Sequence, residues 1–342
     1  MFTVIHPKFH LNGIHFSTKA TLLEFVKKDF ESIYSFLEEW FNAKKYIIVY
    51  TSGSTGKPKP IKILKEHMFN SALATATYFE LQEDGITALL CLSPDYIAGK
   101  MMLVRALVSG WHIDAVAPAS NPLHENKKYD FTAMVPLQVH HSLNDLHKVK
   151  TLIVGGGVVS RTLQEQLKGL KTKIYATYGM TETVTHIAVK KLNNLTGITN
   201  YYEVLPNIKI EKDDRDCLVI DAPNLSKTKI ITNDIVKLID DKHFCWKGRF
   251  DNIINSGGIK ILPEQVEEKL EKTIKQRFFI APKGDTVLGQ KVILIIEGKK
   301  IKNIDFTCLG KYEKPKEVFY LKKFVETKTE KINRKACLEL VC

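Results

Sequence analysis

Apolar strand-like runs alternate with helical patterns through the first half of this chain. The runs lie at Tyr46–Tyr50, 61–64, 86–91, 131–136, 151–154 and 173–176, and helical patterns lie near 20–42, 65–79, 99–109 and 160–168. Strands that alternate with helices form βαβ units, in which successive strands are parallel and helices cover the sheet. The alternation predicts an α/β fold whose large N-terminal domain contains mixed, largely parallel sheets with flanking helices.

The pattern changes after about residue 200, where short β runs follow one another and form a small β-region. A helix is predicted from Pro263, because proline suits the first turn and Val266, Leu270 and Ile274 form a stripe at helical spacing. Strands are predicted after it, in RFFIAP and KVILIIEG. We place the domain boundary within GRFDN, 248–252, which gives a large domain, 1–250, and a small α+β domain, 251–342.

Composition excludes several classes of protein. No apolar run reaches the roughly 18 residues of a membrane span, and the N-terminus lacks the pattern of a secretory signal. The six cysteines are scattered, which argues against a zinc site and a disulfide framework. The net charge is +12, but the lysines are spread along the chain and no nucleic-acid motif accompanies them. We expect a cytoplasmic protein without membrane insertion or nucleic-acid binding.

The segment TSGSTGKPKP, 51–60, follows a predicted buried strand and predicts a phosphate-binding loop. Glycines permit close backbone approach, so consecutive N–H groups can surround an anion, while hydroxyls and a lysine add donors and charge. The candidate residues are Thr51, Ser52, Gly53, Ser54, Thr55, Gly56 and Lys57. A Walker A loop is excluded, because Thr51 and Pro58 stand where that pattern needs glycine and serine or threonine. A plain turn between two strands is the alternative.

The loop YTSGSTGKPK resembles the signature loop of the adenylate-forming superfamily, which contains acyl-CoA and aryl-CoA synthetases, luciferases and nonribosomal peptide adenylation domains. Three further segments resemble that superfamily in the same order. They are YGMTET at 178–183, TNDIVKL with GRFDNIINSGGIKILPEQVE within 232–267, and ETKTEKINR at 326–334. The four segments extend over roughly residues 46 to 334.

The resemblance implies roles for the segment around residue 178. The aromatic ring of Tyr178 would lie near adenine with Gly179 beside it, Thr181 would contact phosphate, and Glu182 would bind Mg²⁺. Carboxylate and hydroxyl oxygens are suitable ligands for Mg²⁺ that carries ATP phosphates. The glycines at 155–157, represented by Gly155 and Gly156, match a segment that lines the adenine and acyl pocket. An ordinary strand-to-helix turn is the competing interpretation of those glycines.

The third segment implies ribose contacts and a hinge. Asp234 and Arg249 match the residues that contact ribose, and Asp251 matches the hinge between the domains. Gly257 and Gly258 match the backbone that approaches the thiol tunnel.

The last segment implies the catalytic lysine. Lys331 stands just before Ile332 and three positions before Arg334, as in the superfamily pattern. The catalytic residues would be Lys331, Thr181 and Glu182, with Lys331 in a mobile C-terminal domain. Glu330 replaces the usual glycine and Val325 the usual proline, so the geometry of this loop departs from the pattern.

The activity implied is that of an ATP-dependent acid–thiol ligase, which forms an acyl-AMP from a small carboxylic acid and transfers the acyl group to coenzyme A. ATP, Mg²⁺ and coenzyme A would be required. Only about 45 residues precede the phosphate loop, so we expect a reduced N-terminal portion. This compact form most resembles the short o-succinylbenzoate–CoA ligases of menaquinone biosynthesis.

The predicted substrate contacts are Arg105, Lys100 and Gly156. Arg105 lies where some o-succinylbenzoate–CoA ligases carry an arginine for a substrate carboxylate. This substrate has two carboxylates and only one is adenylated, so the other needs a cationic partner when it is desolvated. A structural ion pair is the alternative for Arg105.

The sequence leaves other functions open. The thiol could belong to a carrier protein, the acid could be another aryl or aliphatic acid, and a catalytically degenerate nucleotide-binding protein is a further alternative. The sequence leaves a homo-oligomer open.

Overall fold

The computed structural model describes residues 2–50, 59–123, 126–195, 200–327 and 332–341. Eight α-helices lie in these ranges: α1 Lys19–Asp29, α2 Glu31–Phe41, α3 Lys65–Tyr78, α4 Ile97–Ser109, α5 Pro136–His141, α6 Arg161–Leu167, α7 Pro263–Leu270 and α8 Arg334–Leu338. The helices predicted near 65–79, 99–109 and 160–168 are confirmed. None of the described helices is long and apolar enough to cross a lipid bilayer.

Twenty strands lie in the same described ranges. They are β1 His10–Leu11, β2 Ile14–His15, β3 Tyr46–Tyr50, β4 Pro60–Leu64, β5 Thr87–Leu90, β6 His112–Ala115, β7 Tyr129–Met134, β8 Val149–Val154, β9 Lys173–Gly179, β10 His186–Lys191, β11 Tyr202–Val204, β12 Lys209–Lys212, β13 Cys217–Asp221, β14 Ile230–Leu238, β15 His243–Arg249, β16 Ile254–Ser256, β17 Ile259–Ile261, β18 Phe278–Asp285, β19 Gly289–Glu297 and β20 Glu317–Leu321.

Thirteen of the described strands form one mixed sheet in the order β12-β13-β14-β15-β11-β10-β9-β8-β7-β5-β6-β1-β2. Neighbouring strands are parallel from β9 through β8, β7, β5 and β6 to β1, which confirms the predicted α/β class. The strands on either side are antiparallel, since several of them are joined by connections too short for a crossover. The parallel region is the part that positions the candidate site.

Helix α4 is buried on nearly all sides between the sheet and α3. Every residue from Met101 to Leu107 is at most 2% exposed, including the charged residue Arg105. The surrounding apolar cluster contains Trp40, Trp111 and Phe131. A second cluster, which includes Val139 of α5 and Leu163 and Leu167 of α6, contains residues from the same parallel strands. The sheet is therefore covered by apolar side chains on both faces.

The helical region predicted over 20–42 is two helices, α1 and α2, rather than one. Phe30 separates them with φ −134° and ψ 59°, which is outside the helical range. Its backbone N–H still bonds to Val26 and its carbonyl accepts from Tyr34, so both helix ends are satisfied at the break. The spacing of Leu22, Val26 and Ile33 remains consistent with one buried face across the break.

A second sheet contains β17-β16-β19-β18, and β20 pairs with β19 in parallel. Helix α7 begins at Pro263 as predicted, and Val266, Leu270 and Ile274 are buried against this sheet. The predicted boundary between 250 and 251 falls between β15 and β16. The division into domains 1–250 and 251–342, and the mobility of the second, stay predictions.

Candidate active site

The predicted phosphate loop connects two paired strands. β3 and β4 are antiparallel, and Tyr50 lies opposite Pro60 at the open end of the pair. Thr51 to Pro58 lie outside the described residues, as do residues 328–331 with Lys331. The predicted roles of Thr51, Ser52, Gly53, Ser54, Thr55, Gly56, Lys57 and Lys331 therefore stay predictions.

The carboxyl ends of β8 and β9 bring two predicted segments to one edge of the sheet. Gly155 follows β8, and its N–H donates a 3.1 Å hydrogen bond to the carbonyl of Met134. A Cβ atom on Gly155 would lie 2.6 Å from Oγ1 of Thr177 in β9, so glycine allows the two segments to approach closely. Gly156 has φ +78°, which favours glycine. In parallel α/β sheets this edge is where ligands bind.

Tyr178 and Asp234 are in direct contact, although 56 positions separate them. The Tyr178 hydroxyl donates a 2.7 Å hydrogen bond to one carboxylate oxygen of Asp234, and the indole N–H of Trp246 donates to the other at 3.1 Å. Burial and the neighbouring carboxylate raise the pKa of Tyr178 above its ordinary value. The Tyr178 ring packs edge-on against Phe244, with centroids 5.2 Å apart. The predicted adenine and ribose residues therefore belong to one cluster.

Arg249 extends this cluster to the predicted hinge. It lies opposite Asp234 in the β14–β15 pair, with Nε 3.8 Å from the Asp234 carboxylate. Its Nη2 is 3.0 Å from the carboxylate of Asp251, which also accepts hydrogen bonds from the amide of Asn233 at 3.1 and 3.2 Å. The structure thus brings Tyr178, Asp234, Arg249 and Asp251 together through direct contacts.

The segment 179–183 is a compact turn. A Cβ atom on Gly179 would lie 2.2 Å from the carbonyl oxygen of Thr185, so this position requires glycine. The hydroxyl of Thr183 lies 2.9 Å from the carbonyl of Met180 and 2.7 Å from that of Thr185. Glu182 lies on the exposed side of the turn beside Thr181 and has no hydrogen bond or ion pair with a described residue. One exposed carboxylate beside a hydroxyl fits Mg²⁺ that keeps phosphate and water ligands.

Arg105 is a cation in the protein interior with polar but uncharged neighbours. It is 2% exposed, and its Nη2 donates to the hydroxyl of Thr185 at 3.3 Å. Burial lowers the pKa of Arg105 to about 9, which still leaves the guanidinium charged at neutral pH. Within the described parts of the chain, no carboxylate pairs with Arg105 and its Nε has no hydrogen-bond partner. The alternative of a structural ion pair therefore has no support among these residues.

Lys100 lies on a different side of α4. Positions five apart on a helix are separated by about 140°, so Lys100 and Arg105 point in different directions. The Lys100 ammonium is 4.0 Å from the Glu39 carboxylate and 4.8 Å from the centre of the Phe36 ring. These contacts hold Lys100 toward α2. Its predicted substrate contact stays a prediction. Arg105 is the stronger candidate for binding a substrate carboxylate, because it has no anionic partner among the described residues.

Gly257 and Gly258 form the turn between β16 and β17, with φ +58° and +82°. The N–H of Gly257 donates to the carbonyl of Leu288 at 2.9 Å, which ties the turn to the adjacent hairpin. Both glycines are exposed. Their role at the thiol tunnel stays a prediction.

The residues on either side of the segment that contains Lys331 are held by contacts that the sequence did not predict. Glu326 and Ile332 form a β-bridge on either side of 327–331. Arg334 donates two hydrogen bonds to Glu267 of α7, at 2.8 and 2.7 Å. Arg277 forms a 2.6 Å ion pair with Glu326. The chain on both sides of the predicted catalytic lysine is thus attached to the second sheet and its helix.

Two cavities lie away from these residues. One of ≈ 460 Å³ is lined by residues that include Asp130, Lys150 and Lys173, at the amino ends of β7, β8 and β9. Another of ≈ 200 Å³ is lined by residues that include Tyr78 and Glu203. Neither lining includes a predicted site residue, so the assignment of the site relies on the clusters around Asp234 and Arg105.

A family model described as AMP-binding enzyme matches residues 19–220, which is more than half of the chain. The chain belongs to the AMP-binding enzyme family. The membership predicted from the four motifs is confirmed, although the third and fourth motifs lie beyond the matched residues.

Individual relatives agree with this assignment. A solved acyl-CoA synthetase (AMP-forming)/AMP-acid ligase II-like protein from Dyadobacter fermentans is 33% identical, with a TM-score of 0.63 over 95% of this chain and 99% of that one. A 2-succinylbenzoate–CoA ligase of Bacillus cytotoxicus is 24% identical over 89% of this chain and 72% of the relative. The o-succinylbenzoate coenzyme A synthetase of Bacillus subtilis, solved with ATP and magnesium, has a TM-score of 0.72 at 18% identity over 94% of this chain and 82% of that one. That last likeness concerns the fold.

Proposed function

We propose that this AMP-binding enzyme is an ATP-dependent carboxylic acid–CoA ligase that acts through an acyl-AMP intermediate, and that its acid is o-succinylbenzoate. The observation that carries the choice of acid is the buried guanidinium of Arg105, which has no carboxylate partner among the described residues. An acid with a second carboxylate supplies that partner. The curated relatives named 2-succinylbenzoate–CoA ligase support the same choice.

In the first half-reaction, an oxygen of the substrate carboxylate attacks the α-phosphorus of ATP. A bond forms between the acyl oxygen and phosphorus, and the bond from phosphorus to the pyrophosphate oxygen breaks. Catalysis of such a transfer consists mostly of positioning and charge neutralisation. The loop 51–57 would hold the phosphates and Lys331 would neutralise charge at the reacting groups. Mg²⁺ at Glu182, with Thr181 beside it, would neutralise phosphate charge when bound.

The cluster around Asp234 would bind the nucleoside. Its carboxylate accepts one bond at each oxygen from Tyr178 and Trp246, so lone pairs remain to accept ribose hydroxyls. Arg249 would add a donor on the same side, and Gly155 would let adenine approach the backbone.

In the second half-reaction, a thiolate sulfur attacks the acyl carbon and AMP leaves. We propose that residues 251–342 rotate about Asp251 between the two steps, which withdraws Lys331 and brings Gly257 and Gly258 to the thiol. The acyl-AMP already carries a good leaving group, so this step needs little help from Lys331.

The test is a pyrophosphate-release assay with ATP, Mg²⁺ and CoA over a panel of acids that contains o-succinylbenzoate, benzoate, acetate and free amino acids. We expect o-succinylbenzoate to give the highest kcat/KM and the CoA thioester as product. Preference for benzoate or acetate would contradict the proposed acid and leave the ligase class intact. Release of pyrophosphate without thioester formation would point to a carrier-protein thiol. Failure of every acid would contradict the ligase activity itself.

A further inference from the structure

Thr185 is the centre of a small buried polar cluster that no motif predicted. Its hydroxyl oxygen lies 3.3 Å from Nη2 of Arg105, 3.3 Å from Nδ1 of His186 and 3.4 Å from the hydroxyl of Ser71. The four side chains come from α3, α4, β10 and the turn before β10. Arg105, His186 and Ser71 are each at most 5% exposed. Polar groups from separate elements therefore converge in an otherwise apolar region.

The backbone immediately before Thr185 and His186 is strained. Val184 has φ 67° and ψ −64°, and the N–H of Thr185 bonds to the carbonyl of Thr183 at 2.8 Å. This combination is a γ-turn of the rare kind, which is costly for a β-branched residue. Strain of this sort persists where the surrounding structure fixes it, and it accumulates at functional sites. Gly179, in the predicted adenine segment, packs directly against the same turn.

One arrangement of the protons satisfies the contacts within the cluster. Burial and the charge of Arg105 hold the pKa of His186 well below its usual range, so the imidazole is neutral and carries one N–H. Arg105 only donates, so the Thr185 hydroxyl accepts from it and can direct its own hydrogen to Nδ1 of His186. In this arrangement the imidazole hydrogen is on Nε2.

Two donors in the cluster then have no acceptor among the described residues. They are the Nε–H of Arg105 and the Nε2–H of His186, both buried. A buried donor without an acceptor is destabilising, and a buried cation more so. One anion that accepted from both groups would remove both deficits, because it has several acceptor lone pairs, and a carboxylate is such a group. A neutral ring or alkyl chain would remove neither.

We propose that His186 is a specificity-determining residue, whose Nε2–H donates to the substrate carboxylate that is not adenylated, beside Arg105. Thr185 is a positioning residue that holds the imidazole in this tautomer. The proposal rests on the proposed function, because it concerns the second carboxylate of the same acid. It adds a neutral donor to the cationic contact, so that these residues select a dicarboxylate by hydrogen bonding as well as by charge.

The experiment compares kcat/KM for o-succinylbenzoate with that for two acids lacking one carboxylate each, 4-oxo-4-phenylbutanoate and 2-butanoylbenzoate. The readout is the preference for the dicarboxylate over whichever monocarboxylate reacts. In His186→Leu we expect this preference to fall about 10-fold or more, through a higher KM at little-changed kcat, since a hydrogen bond to a charged group is lost. His186→Gln, which keeps an N–H near the position of Nε2, should retain most of the preference.

Thr185 provides a matched pair of variants. Thr185→Ser keeps the hydroxyl and should preserve the preference, whereas Thr185→Val should lower it in the same direction as His186→Leu. The tautomer is measured independently by long-range ¹H–¹⁵N correlation on histidine-labelled wild-type protein, where His186 should show hydrogen on Nε2. This measurement stands even if a variant does not fold.

The outcomes distinguish a failure of the proposed acid from a failure of the proposed role of His186. If wild-type enzyme prefers o-succinylbenzoate but His186→Leu lowers kcat/KM equally for all acids, the role of His186 is structural and the inference is overturned. Hydrogen on Nδ1 would overturn it as well. If wild-type enzyme shows no preference for a dicarboxylate, the proposed acid fails, and the role of His186 fails with it.

Discussion

The hydroxyl of Tyr178 donates a 2.7 Å hydrogen bond to the carboxylate of Asp234, and this bond links β9 to β14 across the main sheet. Asp234 is 6% exposed, so its charge depends on donors supplied by the protein. Trp246 supplies the second donor. The residues proposed to bind adenine and ribose are therefore held in place by each other.

Tyr178→Phe removes this bond and keeps the ring packing. We expect the free energy of unfolding to fall by about 1.5–3 kcal/mol, the usual contribution of a hydrogen bond to a charged group. We also expect a higher KM for ATP, because the carboxylate proposed to bind ribose is less well held. Urea denaturation and initial rates over a range of ATP concentrations measure the two effects.

Tyr202→Phe is the matched control. The Tyr202 ring lies 5.7 Å from that of Tyr178, centre to centre, and its hydroxyl makes no hydrogen bond with a described residue. Removal of that hydroxyl should change stability and KM less. Equal effects in the two variants would show that the bond to Asp234 contributes nothing specific.

Replacing the buried cation on α3 and replacing the one on α4, which packs against it, should change the stability of the protein in opposite directions. Arg105 has no anionic partner among the described residues. Lys65 is 3% exposed, but its ammonium donates to the carbonyl and side-chain oxygens of Asn42 at 2.9 and 3.0 Å. Arg105→Met should raise the free energy of unfolding of the ligand-free protein by about 1–3 kcal/mol, and Lys65→Met should lower it by about the same amount.

The same arginine variant should lose substrate recognition. We expect Arg105→Met to raise the KM for o-succinylbenzoate by roughly 10²-fold, the effect of leaving a charge unpaired at about 2–5 kcal/mol. Wild-type protein should melt at a higher temperature with this acid, and the variant should not. If the variant is less stable and its KM for this acid is unchanged, Arg105 has a structural role and does not bind the substrate.

The sequence predicted most elements of the parallel region because that information is local. Each of the runs in β5, β7, β8 and β9 is apolar enough to be a buried strand, and helical patterns follow the runs in β5 and β8. The loop glycines were predictable for a similar reason. Gly155 and Gly179 have neighbours so close that a Cβ atom would collide, and such positions remain recognisable as short motifs.

The contacts between distant segments could not be predicted from one sequence. Nothing in the local pattern pairs Asp234 with Trp246, or Glu267 with Arg334. His186 was missed because a lone histidine in an apolar strand has no spacing that marks it as functional. Only the packing of α4 against the turn before β10 reveals its position beside Arg105.

The ion pair between Glu267 and Arg334 should affect the first half-reaction more than the second. It fastens the chain just after residues 328–331 to α7, and Glu267 also accepts a 2.8 Å bond from the backbone N–H of Ile280. Glu267→Gln leaves Arg334 without its counterion, which should cost about 1–3 kcal/mol of stability given the partial exposure of Arg334. Adenylation should slow several-fold, measured by pyrophosphate release.

Glu313→Gln serves as the control for this pair. Glu313 pairs with Lys269, also on α7, at 2.6 Å, in a more exposed position away from the lysine segment. We expect a loss of about 0–1 kcal/mol and normal adenylation. If both variants slow adenylation alike, the effect comes from the fold of the second sheet and not from the attachment of the lysine segment.

Lys331→Ala should separate the two half-reactions. Removal of a cation from the reacting groups should slow acyl-AMP formation by about 10²-fold or more, equivalent to roughly 3 kcal/mol. Formation of the thioester from supplied acyl-AMP and CoA should continue, because the lysine is proposed to have withdrawn by then. Lys335→Ala, an exposed lysine four positions away, should leave both steps unchanged. Equal losses in the two half-reactions would refute the assignment of Lys331, since a residue needed only for folding would slow both.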